Sequence, residues 1–397
     1  MFIYGFKKSN FKLSPTYNVQ LAYSIKSQSQ VDHHLIDLSL YEKMLCHGAS
    51  QCRDPYLREL LLLYNIKDED INIYFISSKY YQVKVGDAAA YECVNIYKQP
   101  AFDHPLLKNH KIQMKPSSLP KGVVSSEHKQ LNMVLQDAVR CPEGTVPIRK
   151  TRTESMRNTK SLFKAESVNS STPKIDYHKN STETFYGSQA TMNVINPRVD
   201  DKNQASLAFI SLWNGSNGDE NLIQAGWGAG NSGCYNLQCS GFVHVDKNRP
   251  LGQVLDVSTY DGKIVEQQVL IHQDSKTKNW WVTIAGSVNI GYWPNSLLPH
   301  LANGSPNLSW GSLVKHDING KSPQMGFGYF PDGNPRHAGY FRQIQVMYNL
   351  SDMSNPAGTW ETYEDKPNCY KMVNYGLEAY PNGYSVVYGG TGGACDN

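Results

Sequence analysis

The sequence predicts a mainly β protein whose second half, from about residue 176, forms an antiparallel sandwich or barrel. Short runs rich in Val, Ile, Thr, Tyr and Trp recur there between clusters of Gly, Asn, Asp and Pro. In one run, Ile344, Val346 and Tyr348 alternate with Gln and Met positions, which is the period-two pattern of a half-buried strand. No strand–helix–strand alternation is visible, which argues against a parallel α/β fold. The clearest strand-like runs are 206–213, 267–273, 280–285 and 342–348.

The part of the chain before this half divides into two regions. Residues 1–85 are heterogeneous and carry no recognisable chemistry, so they form an unassigned N-terminal extension. Residues 86–165 form a small mixed region rich in Pro, Lys and His. Extended, irregular backbone is expected there, because each proline removes a backbone donor and disfavours helix at the preceding residue. The β domain is assigned to 166–397 and begins with a linker-like stretch, 168–174.

Composition and charge exclude several classes of partner. The chain has 397 residues and a net charge of +3. Residues 1–165 carry 23 basic and 15 acidic side chains, a net +8, whereas the remainder carries a net −5. No stripe of Lys and Arg is dense enough to bind nucleic acid. No apolar run approaches the roughly 18 residues of a membrane-spanning helix, and the N-terminus has no recognisable signal-peptide pattern. We therefore expect neither nucleic acid nor membrane as a partner.

Cysteines and glycosylation sequons favour an oxidising, secreted environment. The β half holds four of the eight cysteines, and every Asn-X-Ser/Thr sequon lies after residue 165. A zinc site at Cys234 and Cys239 is the weaker interpretation, because no second Cys/His pair lies nearby. We expect no metal and no cofactor. The candidate glycosylation sites are Asn169, Asn180, Asn214, Asn303, Asn307 and Asn349.

Several motifs occur in a fixed order across about residues 86–397. In the mixed region they are CVNIYKQPAFDHPLLKNH (93–110) and CPEGTVPIR (141–149). In the β half they are AGW (225–227), GCYNLQCSGFV (233–243), NWW (279–281), GYWPNSL (291–297), SWG (309–311), QMGFGYFP (324–331) and NCY (368–370). Together these motifs resemble the neprosin family of prolyl endopeptidases, which are glutamic peptidases.

The resemblance implies a fold and a maturation scheme. It implies a secreted, glutamic-peptidase-like β-sandwich at 166–397, preceded by an activation region at 86–165. In the family this region is removed on maturation, so cleavage is expected between Lys150 and Lys174. The resemblance also implies three disulfides, which are Cys93–Cys141, Cys234–Cys239 and Cys369–Cys395.

Glutamic peptidases use two facing side chains. One carboxylate takes a proton from water, and a partner acid or amide stabilises the developing oxyanion. The resemblance places these positions at Gln224, before AlaGlyTrp, and at Leu313, after TrpGlySer; the family has Glu at both. No general base remains, and loss of such a group typically lowers the rate by about 10²–10⁴-fold. Glu220 and Asp317 lie four residues from these positions, about 13 Å along a strand, so neither is expected to substitute.

Three hypotheses follow for the function. The leading one is a non-catalytic member that still binds proline-containing peptides, with Trp227, Tyr292 and Trp310 as candidate groove contacts. The second is an active post-proline endopeptidase with a relocated carboxylate. The third is a carbohydrate-binding wall protein, which rests on fold analogy alone.

The resemblance also makes the activation region a partner of the sandwich, covering its groove. The charges of +8 and −5 suit electrostatic docking. Protonation of carboxylates, or of His104 or His110, is expected to weaken that docking. One wall of the groove should be short. Between Trp227 and Cys234 the chain has only GAGNSG, where the family has a longer segment with a strand and an aromatic-rich hairpin.

Overall fold

A computed structural model describes most of the second half of the chain and parts of the first. Cys234, Cys239, Asn169 and Asn180 lie outside the described residues, as does most of the expected cleavage region. No helix in the described ranges is long and apolar enough to cross a membrane. The described residues are 2–6, 81–85, 89–123, 139–149, 170–171, 174–177, 183–201, 203–216, 219–230, 236–238 and 240–395.

The described residues form twenty strands and six short 3₁₀ helices. The strands are β1 Phe2–Phe6, β2 Tyr81–Val85, β3 Ala89–Asn95, β4 Thr145–Arg149, β5 Ser170–Ser171, β6 Lys174–Tyr177, β7 Gly187–Asn193, β8 Ala205–Ser216, β9 Asp219–Gly230, β10 Val243–His244, β11 Glu266–Gln273, β12 Trp280–Ile284, β13 Val288–Trp293, β14 Asn307–Lys315, β15 Lys321–Ser322, β16 Gly339–Met347, β17 Trp360–Tyr363, β18 Lys371–Leu377, β19 Tyr384–Gly389 and β20 Gly393–Ala394. The 3₁₀ helices are Ile96–Lys98, Pro100–Asp103, Pro105–Leu107, Asn236–Gln238, Asn295–Leu297 and Pro299–Leu301.

Two large antiparallel sheets form the body of the protein. The first sheet follows the order β1-β9-β8-β14-β6-β17, with β5 pairing separately with β14. The second follows the order β10-β13-β12-β11-β7-β16-β19-β18. Two smaller sheets contain β15-β20 and β2-β3-β4. Each large sheet ends in edge strands, so neither closes into a barrel. The mainly β, antiparallel prediction is confirmed.

The two large sheets share one apolar core, as expected for a sandwich. Ile223 and Ala225 on β9 and Val269 and Ile271 on β11 are fully buried in a single contiguous cluster. Side chains alternate along a strand, so Gln224, which lies between Ile223 and Ala225, points away from this core. The alternation read from β16 is also confirmed, since its Ile344 and Val346 lie in the core.

Two of the three implied disulfides are present among the described residues. Cys93 pairs with Cys141 across the three-stranded sheet, with a Cα–Cα distance of 5.5 Å. Cys369 pairs with Cys395 at 5.8 Å. The first bond ties together two described parts of the mixed region predicted at 86–165. These parts, residues 89–123 and 139–149, are called the N-terminal segment below.

The N-terminal segment docks on the second sheet and its adjoining loops. Two of its three short 3₁₀ helices start at prolines, and Ala101 and Leu107 are buried in the main core. The Gln99 side chain donates to the His244 carbonyl at 3.0 Å and accepts from the His244 amide at 2.7 Å. Further along, the Lys121 carbonyl accepts from the Met353 amide at 2.8 Å. The segment is therefore part of the folded core on this side.

Electrostatic docking of the two parts stays a prediction, because most charged side chains of residues 1–165 lie outside the described ranges. Between the described residues of the two parts, the ion pair is Glu143 with Lys247, in which the segment supplies the acid. His104 accepts from the Leu106 amide within the segment itself. His110 lies 2.8 Å from the Tyr292 hydroxyl, and burial lowers its pKa.

The carboxylate of Asp274 accepts several hydrogen bonds from the N-terminal segment. It is fully buried and accepts from the Ser117 hydroxyl at 2.5 Å and from the Gln113 amide at 3.3 Å. Burial acts to raise the pKa of Asp274, but hydrogen bonds from Ser117, Thr277 and Lys276 outweigh it and lower the pKa to about 2. The stabilisation by this carboxylate is present above pH 3.8 and is lost as the pH falls towards 2.

Two buried histidines make the stability of the fold depend on pH in a range above that of Asp274. His244 and His272 are 0% and 1% exposed, and burial lowers the pKa of each from 6.5 to about 4. Between pH 6.5 and 4 the unfolded chain binds protons that the folded chain does not. The free energy of unfolding should therefore decrease as the pH falls through this window.

We predict that His272→Gln flattens this pH dependence. Each histidine contributes a loss on the order of 3 kcal/mol between the two pKa values, and a neutral amide removes one of the two losses. Urea denaturation at a series of pH values measures the slope. His316→Gln, on the loop after β14, is the matched control and should keep the wild-type slope. An unchanged slope in His272→Gln would contradict the prediction.

Candidate functional site

The site predicted from sequence lies on three adjacent strands of the first sheet, β9, β8 and β14. Their antiparallel register is continuous, so each residue of β8 has a defined partner on both sides. Gln224 on β9 pairs with Ser211, and Leu313 on β14 pairs with Leu207. Residues paired in this way share one face of the sheet.

Gln224 lies on the face that points away from the core, which is called the outer face below. Its neighbours Ile223 and Ala225 belong to the main core, and so does Trp310 on β14. The Trp310 indole donates to the Ser188 hydroxyl of the second sheet at 2.8 Å. Ser309, one residue before Trp310, must therefore share the outer face with Gln224.

A polar row crosses the outer face. Gln224 pairs with Ser211, and Ser211 pairs with Ser309. The Gln224 amide donates to the Ser211 hydroxyl at 3.4 Å. Ser211 and Ser309 are 3% and 1% exposed, and Gln224 is half-buried. On β9, β8 and β14 this row offers neutral donors and acceptors that suit an oxyanion or a peptide carbonyl, and these three strands contribute no ionisable acid to it.

An apolar row crosses the same face two rows further along. It consists of Gly228, Leu207 and Leu313. Leu207 forms a small cluster with Phe209, and Leu313 packs against it. A Cβ atom at Gly228 would lie only 2.3 Å from the Leu207 side chain, so a larger residue there would require the Leu207 methyl groups to move. Leu313 thus belongs to an apolar surface, where a carboxylate would be poorly solvated.

The register does not bring Gln224 and Leu313 together. Their rows are four residues apart along β8, about 13 Å, and their strands are two spacings apart, about 10 Å. A dyad that shares one water needs side chains within a few ångströms. The residue of β14 in the row of Gln224 is Ser309, about 10 Å away between Cα atoms. The dyad assignment of Leu313 remains a prediction, and the geometry favours Ser309.

The two carboxylates weighed as substitutes are distant from the polar row. Glu220 is exposed near the start of β9 and pairs with Gly215. Asp317 follows β14, and its carboxylate accepts from the Asn319 and Lys321 amides at 2.8 and 2.9 Å in a turn. Both therefore serve other parts of the structure.

A different carboxylate does fall in the row by backbone register. Asp176 on β6 pairs with Ser309 on the side away from β8. Three strand spacings, about 14 Å, separate it from Gln224. Sequence reasoning missed both Asp176 and Ser309, because neither stands at a family motif position that had been linked to catalysis.

The three aromatic residues expected in the groove lie elsewhere, which corrects the prediction. Trp227 and Trp310 are 3% and 0% exposed and belong to the core. Trp227 lies three residues after Gln224 and Trp310 one residue after Ser309, so each faces the opposite side of its strand from that residue. Tyr292 is in the second sheet, where its hydroxyl accepts from the backbone amide of Gln113 at 2.9 Å. Burial raises the pKa of Tyr292 to about 12.

The described sequons fall into two pairs. Asn303 and Asn349 are exposed. Asn214 and Asn307 are half-buried, and their side-chain amides donate to the His300 and Trp213 carbonyls at 2.6 and 3.0 Å. Glycosylation of these sites remains a prediction.

We predict that Leu313→Glu destabilises the fold. The new carboxylate would face Leu207 and Phe209, and burial of an unpaired polar group typically costs about 1–3 kcal/mol. Urea denaturation at neutral pH measures the free energy of unfolding. Leu313→Met keeps the volume and should lose less than about 1.5 kcal/mol. Equal stability of the two variants would show that position 313 is not part of an apolar surface.

Comparisons with known proteins agree with the geometry at the level of the family. Residues 202–391 match the family model described as Neprosin, and residues 82–194 match the one described as Neprosin activation peptide. A solved structure, "Crystal structure of Scytalido-glutamic peptidase with a peptide based transition state analog", matches at 14% identity. That match covers 55% of this chain and 97% of that chain, with a TM-score of 0.28, and it carries no argument here. On the two family matches, this chain belongs to the neprosin family and includes an activation-peptide region.

Proposed function

We propose that this chain is a non-catalytic member of the neprosin family that binds proline-containing peptides on its outer face. The observation that supports this most directly is the composition of the polar row. It contains one amide and two hydroxyl groups, at Gln224, Ser211 and Ser309, where a glutamic peptidase requires a carboxylate.

No general base is available whether the second position of the dyad is taken as Ser309 or as Leu313. Ser309 and Leu313 are both non-ionisable at working pH. Across β8, β9 and β14 the carboxylates are Asp219 and Glu220, both at the start of β9. Asp219 is exposed and lies 3.1 Å from the His300 ring. Water activation by a positioned carboxylate therefore has no candidate on these three strands.

Peptide binding is supported by the shape of the outer face. Phe209 stands between Gly226 and Gly311 in its row, so the two adjacent positions on β9 and β14 are glycines. Aromatic rings of this kind pack well against proline. Phe209 is only 3% exposed although it points away from the core, so the face is closed in the intact chain. We infer that a peptide reaches it only after proteolytic cleavage of the chain opens this face.

A secreted location belongs to the same proposal. The described disulfides Cys93–Cys141 and Cys369–Cys395 suit an oxidising compartment.

The test combines catalysis and binding on one preparation. The full-length protein is cleaved by limited proteolysis and incubated with a proline-containing fluorogenic peptide at acidic and neutral pH. We expect no cleavage by mass spectrometry, and we expect anisotropy to show binding only after proteolysis. Phe209→Ala should weaken that binding about tenfold. The uncleaved protein is the control.

Two results would contradict the proposal separately. Cleavage after proline that persists through repeated purification would disprove the absence of catalysis. A failure of the cleaved, folded protein to bind would disprove the peptide-binding role.

An active peptidase with a relocated carboxylate is the second candidate, and the register of Asp176 favours it. In that case Gln224 would stabilise the oxyanion and Asp176 would act as the base. Cleavage that disappears in Asp176→Asn but persists in Glu220→Gln would establish it. The separation of about 14 Å between the two strand positions makes it the weaker candidate.

A further inference from the structure

The edge of β9 that faces away from β8 is paired with β1, a strand near the N-terminus. β9 is paired on one side with β8 over its whole length, from Asp219 to Gly230. On its other side, β1 pairs antiparallel with it from Leu222 to Gly226. Without β1, β9 would be a long edge strand with a row of unpaired backbone groups, a ready template for another extended chain.

The residues that follow β9 do not supply this edge strand. The next described elements are a 3₁₀ helix at Asn236–Gln238 and β10 in the second sheet. A hairpin partner would normally come from the residues directly after the strand. Here the partner comes from residues 2–6, which belong to the extension that the sequence left unassigned.

The register places β1 beside the polar row. Tyr4 pairs with Gln224, so its backbone stands in register with Gln224, Ser211 and Ser309. Phe2 and Phe6 pair with Gly226 and Leu222. Ile3 and Gly5 pair with Ala225 and Ile223, which lie on the core face.

The pattern of β1 defines what the edge accepts. Phe2–Phe6 reads FIYGF, with aromatic residues at alternate positions and no charge. Main-chain hydrogen bonds supply affinity in such strand addition, and alternate side-chain positions supply specificity. Seventy-four residues separate Phe6 from Tyr81 at the start of β2, so β1 is tethered to the next described element by a long stretch of sequence.

We propose that the edge of β9 from Leu222 to Gly226 is a strand-accepting site for an uncharged peptide with alternating aromatic residues, and that residues 2–6 are its occupant in this chain. The site is distinct from peptide binding on the outer face, because it uses the backbone edge of β9. A peptide of the same pattern added in trans competes for the edge with β1.

The test uses a fluorescent peptide with the sequence of residues 1–6 and the full-length chain. In the variant Tyr4→Pro/Gly5→Pro, consecutive prolines remove the backbone donors and stop β1 from pairing. We expect anisotropy to show at least tenfold tighter binding to this variant than to wild type, because the internal competitor is gone. Ser9→Pro, outside β1, is the matched control and should behave as wild type. The same peptide with proline at Tyr4 should not bind.

Equal binding to the variant and to wild type, or binding of the proline peptide, would overturn the proposal. If the variant fails to fold, hydrogen exchange on the wild-type chain decides. Excess peptide should then speed exchange of those amides of residues 2–6 that are protected in the free protein, while β9 stays protected. Unchanged exchange at every amide of residues 2–6 would also overturn the proposal.

Discussion

The antiparallel register of β9, β8 and β14 is the constraint on which the candidate function depends. A shift of one residue would exchange the outer and core faces of a strand, so the burial of Ala225 and Trp310 fixes the register firmly. Given that register, the residues in the row of Gln224 on β8 and β14 are Ser211 and Ser309. The chemistry available at the site is that of an amide and two hydroxyls, whatever the family uses at these places.

The strands and their faces could be predicted from the sequence, because alternation is a local property. Ile344 and Val346 lie in the core as their spacing indicated. The partner of Gln224 could not be predicted, because register depends on which distant strand pairs and at what offset. One signal was available. In a strand that reads SerTrpGly, Ser309 and Trp310 must face opposite sides, so a buried Trp310 implied an outward Ser309. The placement of Trp310 in the groove overlooked this.

The N-terminal segment shows a similar limit of sequence reasoning. Net charge suggested electrostatic docking, which stays a prediction, and among the described residues Leu107 in the core and neutral donors on Asp274 hold the segment in place. Low pKa values at His244 and His272 then make the assembly less stable in mild acid. Which groups are buried decides this behaviour, and a charge sum over 165 residues contains no such information.

The most direct measurement of the central claim is whether peptidase activity can be restored by a pair of glutamates. Two double variants are compared after limited proteolysis, Gln224→Glu with Ser309→Glu and Gln224→Glu with Leu313→Glu. The register predicts cleavage of a proline-containing peptide by the first variant and none by the second. Cleavage by the second variant with none by the first would contradict the account.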